Sequence, residues 1–276
     1  MMGDWLQRHR GETIVVKFGG NAMVDDTLKR DFAADVVALL HAGIRPVVVH
    51  GGGPQISAAL QRAGIPSEFR GGYRFTNTEA IQVVQDVLAG EVGAELAALI
   101  TEHGGNAAVR SGGDESLFTA RRRGVVIDGR MVDLGHVGDI VEVDARGIVA
   151  LLDAGRIPVV SSLAPDGEQP GESLNVNADS AAASLAVALG AAWLIVLTDV
   201  PGLYRDWPRR ESLVSALDTL ELEALLPTLQ AGMIPKMTAC LEAVRGGVGS
   251  AAIVDGRVSH CLVREPFGAG GTVVTR

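Results

Sequence analysis

The chain has 276 residues, of which 47% are hydrophobic and 21% charged, a composition typical of a folded globular protein and too apolar for a disordered one. Its formal net charge of −9 argues against a nucleic-acid partner, because phosphate backbones are bound by concentrated basic surfaces. We expect a cytoplasmic protein with no membrane partner, since no apolar run reaches about 18 residues, no signal sequence is recognisable, and two cysteines, Cys240 and Cys261, do not make a disulfide framework.

Apolar segments alternate with helical patterns along the chain. Runs typical of buried parallel strands lie at residues 13–18, 46–50, 157–161, 193–197 and 251–254. Helical spacing predicts helices at 28–40, 54–63, 91–103, 178–189 and 236–245, and a capping box at Thr76 to Glu79 predicts another start. Residues 116–143 favour short antiparallel strands with turns at Asp128-Gly129 and at Gly135.

This order predicts an α/β fold, a three-layer αβα sandwich around a mainly parallel open sheet with an inserted β-hairpin region. A loose division near residues 170–173 separates an N-terminal lobe, residues 1–172, from a C-terminal lobe, residues 173–276. We expect the Arg121-Arg122-Arg123 run to be a solvated turn.

Lysine is rare in this chain, and its positions are informative. Of the 24 basic residues only Lys17, Lys29 and Lys236 are lysine, which leaves 21 arginines. Lys17 lies near the end of a predicted buried strand and precedes Gly19-Gly20, a pattern that indicates an anion site where strand gives way to loop. The alternative is a lysine whose ammonium reaches solvent beside a simple turn.

Two predicted helix starts also suggest anion binding. Three glycines follow His50 and lead directly into a helix with Pro54 at its first position, so unpaired backbone N–H groups can meet a phosphate or carboxylate. Lys236 follows Pro235 in the first turn of another helix, where a cation opposes the helix dipole unless an anion is near. An ordinary turn and an exposed lysine remain the alternatives.

Polar side chains gather in further loops. Asn175 and Asn177 lie on one face if their segment is extended, and Asp179 falls in the first turn of the following helix, either as a functional group or as a cap. Arg74 is placed to form a fork on a carboxylate. We expect the histidines to be structural or exposed, since no histidine-based catalytic motif occurs.

In this order the segments resemble the amino-acid kinase family, and within it the members that act on N-acetyl-L-glutamate. The resemblance covers nearly the whole chain. It depends most on six motifs at residues 16–23, 50–54, 72–76, 133–138, 175–179 and 232–236. Each motif alone is weak, but six in one order are specific.

The resemblance implies transfer of the ATP γ-phosphate to the side-chain carboxylate of N-acetylglutamate, in the biosynthesis of arginine or ornithine. Catalytic roles would fall on Lys17, Lys236 and Asp179, and Mg²⁺ would be bridged by phosphates without a dedicated protein site. The substrate would be bound by Gly52, Gly53, Arg74, Asn175 and Asn177. The nucleotide would be bound by Gly19, Gly20, Thr198, Asp199, Gly202, Leu203 and Tyr204, with residues 228–230 nearby.

The family also implies a homodimer, with the N-terminal lobe for substrate binding and dimerisation and the C-terminal lobe for the nucleotide. A PII-type signalling protein is a further partner that the resemblance suggests. Hexamer formation and arginine feedback stay open, since only four residues precede Trp5 to Arg10, which resembles the end of the helix that links dimers in family hexamers. Residues 265–269 also depart from the family pattern. The alternatives are a kinase of this fold for another small carboxylate or carbamate, and a non-catalytic effector sensor.

Overall fold

A computed structural model describes residues 2–263 and 270–276. The atypical segment at 265–269 therefore lies outside the described residues. Helices α1 to α9 are, in chain order, Met2–Arg8, Asp26–His41, Gly53–Arg62, Thr78–Gln85, Gly93–Glu102, Arg146–Asp153, Ala178–Ala188, Thr219–Leu225 and Ile234–Arg245. No helix in these ranges is long and apolar enough to cross a membrane.

Strands β1 to β16 are, in chain order, Thr13–Phe18, Arg45–His50, Glu68–Arg70, Tyr73–Phe75, Ala107–Ser111, Phe118–Ile127, Arg130–Val143, Ile157–Ser161, Leu163–Pro165, Ser173–Val176, Trp193–Thr198, Leu203–Tyr204, Leu213–Val214, Ala216–Asp218, Ser250–Asp255 and Gly271–Thr275. The main sheet has the order β14-β16-β15-β11-β1-β2-β8-β5. Six of its strands are parallel to one another, and β16 and β14, which are parallel to each other, run antiparallel to those six. All the strands predicted from apolar runs lie in this sheet.

Alternate residues of the central strand β1 face two separate cores. Val15 packs with helices α6, α7, α8 and α9, whereas Ile14, Val16 and Phe18 pack with helices α2, α3, α4 and α5 on the other face. A sheet buried on both faces explains why its strands are apolar throughout rather than alternating. The predicted three-layer αβα sandwich is confirmed.

The inserted region forms a second sheet in the order β6-β7-β10-β9. Its long hairpin turns at Asp128-Gly129, as predicted, with φ values of +49° and +74°. The second predicted turn is wrong, because Gly135 lies inside β7, where its φ of +71° lets the backbone approach the carbonyl of Thr76. Strand β10 begins at Ser173, the predicted lobe boundary, and pairs with β7, so the division into lobes stays a prediction.

Two further local predictions are wrong. Asn77, not Thr76, caps helix α4 by accepting a hydrogen bond of 2.8 Å from the Ala80 amide. The arginine run is not a turn but part of β6. There Arg122 Nε lies 2.9 Å from Asp166 Oδ2 and Arg123 lies 2.7 Å from Asp139, so acidic partners rather than solvent explain the run.

Candidate active site

The carboxyl ends of β1, β2, β8 and β11 meet at one edge of the main sheet, because these strands are parallel neighbours. Lys17 lies near the end of β1, opposite Val49 of β2 and Val196 of β11. The glycine turns that follow β1 and β2 begin at this edge. Ligands of open α/β sheets bind at such an edge, next to the strand where the order of connections reverses.

Asp179 holds two ammonium groups that come from distant parts of the sequence. Lys17 Nζ lies 2.9 Å from its Oδ1, and Lys236 Nζ lies 3.1 Å from its Oδ2. Asp179 is 4% exposed and Lys17 6%. The structure brings the three predicted catalytic residues together. The alternative of Asp179 as a cap is wrong, because Asn177 Oδ1 caps α7 by accepting from the amides of Asp179 and Ser180.

Burial and charge act in opposite directions on this cluster. Burial lowers the pKa of Lys17, and the neighbouring Asp179 carboxylate offsets only part of that shift. Burial alone would raise the pKa of Asp179, but the charges of Lys17 and Lys236 outweigh it and the net pKa is below its usual value. The carboxylate therefore stays ionised. Two ammonium groups around one carboxylate leave one positive charge uncompensated, which attracts an anion.

Glycine lets the backbone come close to these charges. A Cβ atom at Gly19 would lie 2.7 Å from Lys17 Nζ, and one at Gly52 would lie 2.7 Å from Leu88 Cδ2. Gly20 has a φ of +74°, a conformation that favours glycine. Gly52 is the N-cap residue directly before helix α3, and no side chain of the described residues caps that helix. Amide N–H groups at its first turn are thus available to an anion.

A cavity of about 280 Å³ lies between the charged cluster and the glycine turns. Every residue predicted to be catalytic or substrate-binding lines it, together with Gly19 and Gly20. Its apolar wall includes Ile56 and Leu88. Positive charge, backbone amides and a small apolar wall suit a compact ligand with more than one anionic group.

Arg74 is held rigidly at one side of this cavity. It is 7% exposed, and its guanidinium donates to Ser67 Oγ, to Ser57 Oγ at 2.8 Å and to the Gly53 carbonyl at 3.1 Å, while it lies over the ring of Phe69. Burial lowers the pKa of Arg74, yet a guanidinium remains charged at any ordinary pH. Within the described chain these bonds use three of its five N–H donors and leave two for a ligand.

The two predicted asparagines line the same cavity but differ in which side-chain groups are available to a ligand. Asn175 lies on β10 and donates weakly to Thr76 Oγ1 at 3.5 Å. Asn177 uses its side-chain oxygen to cap α7, so only its Nδ2 group can donate to a ligand. The prediction that both amides face one site is confirmed.

A second cavity, of about 300 Å³, lies beside the loop that follows β11. Its walls include Gly202, Leu203 and Tyr204 and residues 228–230, all predicted near a nucleotide. Thr198 and Asp199 do not line it. They do not line the first cavity either; Thr198 ends β11, the parallel neighbour of β1, and Asp199 follows it at the same edge of the sheet. Helix α9 connects the cavities, because Met233 at its start lines the second and Lys236 in its first turn lines the first.

The sequence profile of the amino acid kinase family matches residues 12–255. The chain belongs to the amino acid kinase family. The acetylglutamate kinase of Clavibacter michiganensis subsp. michiganensis is 63% identical to it over 268 residues, which are 97% of this chain and 88% of that protein. The family resemblance drawn from the motifs is confirmed.

Solved structures agree with this family assignment. An N-acetylglutamate synthase from Neisseria gonorrhoeae, complexed with coenzyme A and N-acetyl-glutamate, superposes with a TM-score of 0.84 at 26% identity, over 100% of this chain and 62% of that one. The chain thus spans about three fifths of that longer synthase. Carbamate kinase from Giardia lamblia bound to AMP-PNP gives a TM-score of 0.68 at 19% identity, over 96% and 99% of the two chains, and shows the shared fold.

Several residues of this amino acid kinase site have no clear sequence signal. Ser57 and Ser67 hold Arg74, and neither belongs to a recognisable motif. Leu88 reaches the first cavity from a π-helical segment, Asp86–Val92, that joins α4 to α5 where the sequence suggests ordinary helix. Ser162 lines the first cavity directly after β8. Trp207 lines the second, and only its nearness to the predicted nucleotide loop could have indicated it.

Proposed function

We propose that the protein transfers the γ-phosphoryl group of ATP to the side-chain carboxylate of N-acetyl-L-glutamate, giving N-acetylglutamyl 5-phosphate and ADP. The observation that carries this proposal is the buried Lys17–Asp179–Lys236 cluster, which lines the first cavity, while the helix that carries Lys236 begins beside the second. A phosphoryl group passing from one cavity to the other would meet both ammonium groups. The family name of the curated relatives supports the choice of substrate.

The reaction needs charge stabilisation more than proton transfer. A carboxylate oxygen attacks the γ-phosphorus, the new O–P bond forms, and the bond to the bridging oxygen of ADP breaks with its electron pair leaving on ADP. The attacking carboxylate, with an ordinary pKa near 4.3, is already ionised at neutral pH, so no general base is required. Two anions must instead be brought together. Lys17, Lys236 and the N–H groups near Gly19 and Gly52 offer positive charge for the transferring group.

The acyl substrate has matching partners in the first cavity. The donors of Arg74 that remain, on Nε and Nη1, point in different directions, so one of them would give a single charge-assisted hydrogen bond to the α-carboxylate of N-acetylglutamate. The amide groups of Asn175 and Asn177 suit its acetamide or carboxylate oxygens. With Arg74 fixed by its own hydrogen bonds, little ordering is needed when the substrate binds. The side-chain carboxylate would then point towards the charged cluster.

The second cavity would hold the base and sugar of ATP, with Tyr204 and Trp207 as an aromatic wall. Their ring centroids lie 5.1 Å apart in an edge-to-face arrangement. No group of three metal-ligating side chains was found among residues 2–263 and 270–276. We therefore propose that Mg²⁺ enters with the nucleotide, bound to its phosphates. Residues 1–172 would bind the acyl substrate together with Asn175 and Asn177, and the rest of residues 173–276 would mainly bind the nucleotide.

Two alternatives are less well supported. Carbamate has no second carboxylate to pair with Arg74, and another small dicarboxylate lacks the support that the names of the curated relatives give to N-acetylglutamate. The likeness to carbamate kinase concerns the fold alone. A non-catalytic sensor would not need two lysines held on a single buried carboxylate.

Trapping the acyl phosphate with hydroxylamine tests the proposal directly. Purified protein is incubated with MgATP, hydroxylamine and one candidate acid at a time: N-acetyl-L-glutamate, L-glutamate, N-acetyl-L-aspartate or carbamate. We expect hydroxamate and ADP in equal amounts with N-acetyl-L-glutamate, and at least about tenfold less with the other two amino acids. For carbamate, whose acyl phosphate would give hydroxyurea instead, ADP release is the readout, and it should also be at least about tenfold lower. A Lys236→Ala variant purified in the same way controls for contaminating kinases. Equal or greater hydroxamate with another acid would refute the substrate assignment.

The remaining partners are proposals that rest on the family resemblance alone. We propose a homodimer in the cytoplasm, serving the biosynthesis of arginine, with a PII-type protein as a regulatory partner. Light scattering after size-exclusion chromatography tests the dimer. A purely monomeric mass at micromolar concentration would contradict it.

A further inference from the structure

His50 is the last residue of β2, directly before the three-glycine turn. It is fully buried, in register with Phe18 of β1 and Ser161 of β8. It faces the core formed with α2 and α5, where a Cβ atom at Gly93 would come within 3.3 Å of its Nε2. Its imidazole contacts the glycine turn from within this core and does not line the cavity that Gly51, Gly52 and Gly53 line.

The contact of this ring with the turn determines where its proton lies. His50 Nδ1 is 3.0 Å from the carbonyl oxygen of Gly51. If Nδ1 lacked a proton, its lone pair would face the lone pairs of that oxygen inside the core, which is unfavourable. With the proton on Nδ1, the same contact is an ordinary N–H···O hydrogen bond.

We infer that His50 is a positioning residue: a neutral imidazole with its proton on Nδ1, which donates to the Gly51 carbonyl and thereby sets the direction of the Gly52 amide. The Gly51 carbonyl and the Gly52 N–H belong to one planar trans peptide and point in opposite directions. Holding the carbonyl back towards His50 therefore turns the Gly52 N–H towards the cavity. Glycine has no side chain to restrict this peptide, so an external constraint is needed.

The other ring nitrogen agrees with this tautomer. Nε2 is buried and has no hydrogen-bond partner in the described ranges of the chain. Without a proton it is an acceptor, and a missing partner costs less than an unpaired N–H donor would. Ser161, its register neighbour on β8, has a hydroxyl that is likewise buried without a partner in those ranges. Burial lowers the pKa of His50 to about 4, which keeps the ring neutral at physiological pH.

The tautomer is measured on the wild-type protein, independently of activity. Long-range ¹H–¹⁵N correlation spectra of histidine-labelled protein distinguish the ring nitrogens, because the Cδ2 proton couples strongly to Nε2 and weakly to Nδ1. The signal of His50 among the six histidines is the one absent from a His50→Asn variant. We expect a protonated Nδ1 and an unprotonated Nε2 at pH 7. A proton on Nε2 overturns the proposal.

Two substitutions then separate positioning from packing, and this part of the test rests on the proposed kinase function. Asn can place an N–H donor where Nδ1 lies but leaves a void, whereas Leu fills the apolar space but offers no donor. Packing alone predicts that His50→Leu is at least as stable and as active as His50→Asn. Positioning predicts the opposite order of activity: kcat within about threefold of wild type for Asn, and at least about tenfold lower for Leu, even if Leu unfolds at a higher temperature.

The proposal is overturned if, of the two variants, the one with the higher melting temperature also has the higher kcat. If N-acetylglutamate is not the substrate, neither variant shows kinase activity. The tautomer of His50 in the wild-type protein still tests the inference in that case. Should His50→Leu fail to fold, His50→Gln replaces it, because its amide reaches the Nε2 position and leaves the Gly51 carbonyl unpaired.

Discussion

Replacing Asp179 with Asn should destabilise the protein and abolish most of its activity. The carboxylate lies 2.9 Å from one ammonium and 3.1 Å from the other, in a site where it is 4% exposed. Removing one member of a buried ion cluster leaves like charges facing each other and costs about 3–5 kcal/mol. For a chain of 276 residues this lowers the melting temperature by roughly 5–9 °C.

The kcat of Asp179→Asn should fall by more than its loss of stability can explain. Without the carboxylate the two ammonium groups repel each other, so they no longer meet around the transferring phosphoryl group, and we expect kcat to drop by about 10²–10³. Bound ATP supplies new negative charge. MgATP should therefore raise the melting temperature of Asp179→Asn more than that of the wild type. Differential scanning fluorimetry and coupled ADP release measure both effects.

Asp166→Asn is a matched control for this experiment. Asp166 is also a buried carboxylate, 2.9 Å from Arg122, but it does not line either of the two cavities. Its loss should lower stability while kcat stays within about threefold of wild type. If both variants lose kcat equally, or if Asp179→Asn keeps its kcat, the assigned role of the cluster is refuted.

Other predictions concern single contacts. Lys236→Ala should lower kcat by about 10²-fold and change KM for ATP by less than about threefold; equal changes in both would contradict a role in the transition state. Arg74→Lys should raise KM for N-acetylglutamate at least about tenfold and leave KM for ATP unchanged, because the compact ammonium of lysine cannot keep the bonds to the two serines and to the Gly53 carbonyl and also reach the substrate carboxylate; an unchanged KM would remove that assignment. The buried His50 has a pKa lowered from 6.5 to about 4, so the unfolded chain takes up its proton at higher pH than the folded one. The free energy of unfolding should therefore fall by up to about 3 kcal/mol between pH 6.5 and 4, and urea titrations of wild type and His50→Leu should show a shallower fall in the variant.

The centre of this molecule could be predicted because its sequence signals are local. Buried parallel strands are apolar on both faces, so the strand that ends at Phe18 and its neighbours were recognisable. An ordinary turn after such a strand rarely needs consecutive glycines, so the turns at Gly19 and Gly51 indicated a ligand site. Strands β5, β14 and β16 and helices α6 and α8 escaped prediction because they are short: strands of three to five residues and helices of seven or eight residues offer too few positions to establish a period.

The misassigned caps and turns have a common physical cause. Thr76 fits a capping box by spacing, yet Asn77 takes that role, since the backbone of Thr76 is paired with Leu134 and His136 of the inserted sheet. The positive φ of Gly135 serves the same contact rather than a turn. Both depend on pairing between segments nearly 60 residues apart, which no local pattern contains.

Lys17 and Lys236 show why the site was nonetheless visible. Each breaks a local rule: one ammonium lies within a buried strand, and the other lies at the positive end of a helix dipole. Neither position is favourable alone, and the shared Asp179 carboxylate compensates only one of the two charges. A phosphoryl group that gains negative charge during transfer would compensate the other. The same uncompensated charge therefore destabilises the free protein and stabilises the transition state. For this reason, lysines at positions that are unfavourable by local structural criteria indicated where the catalytic site lies.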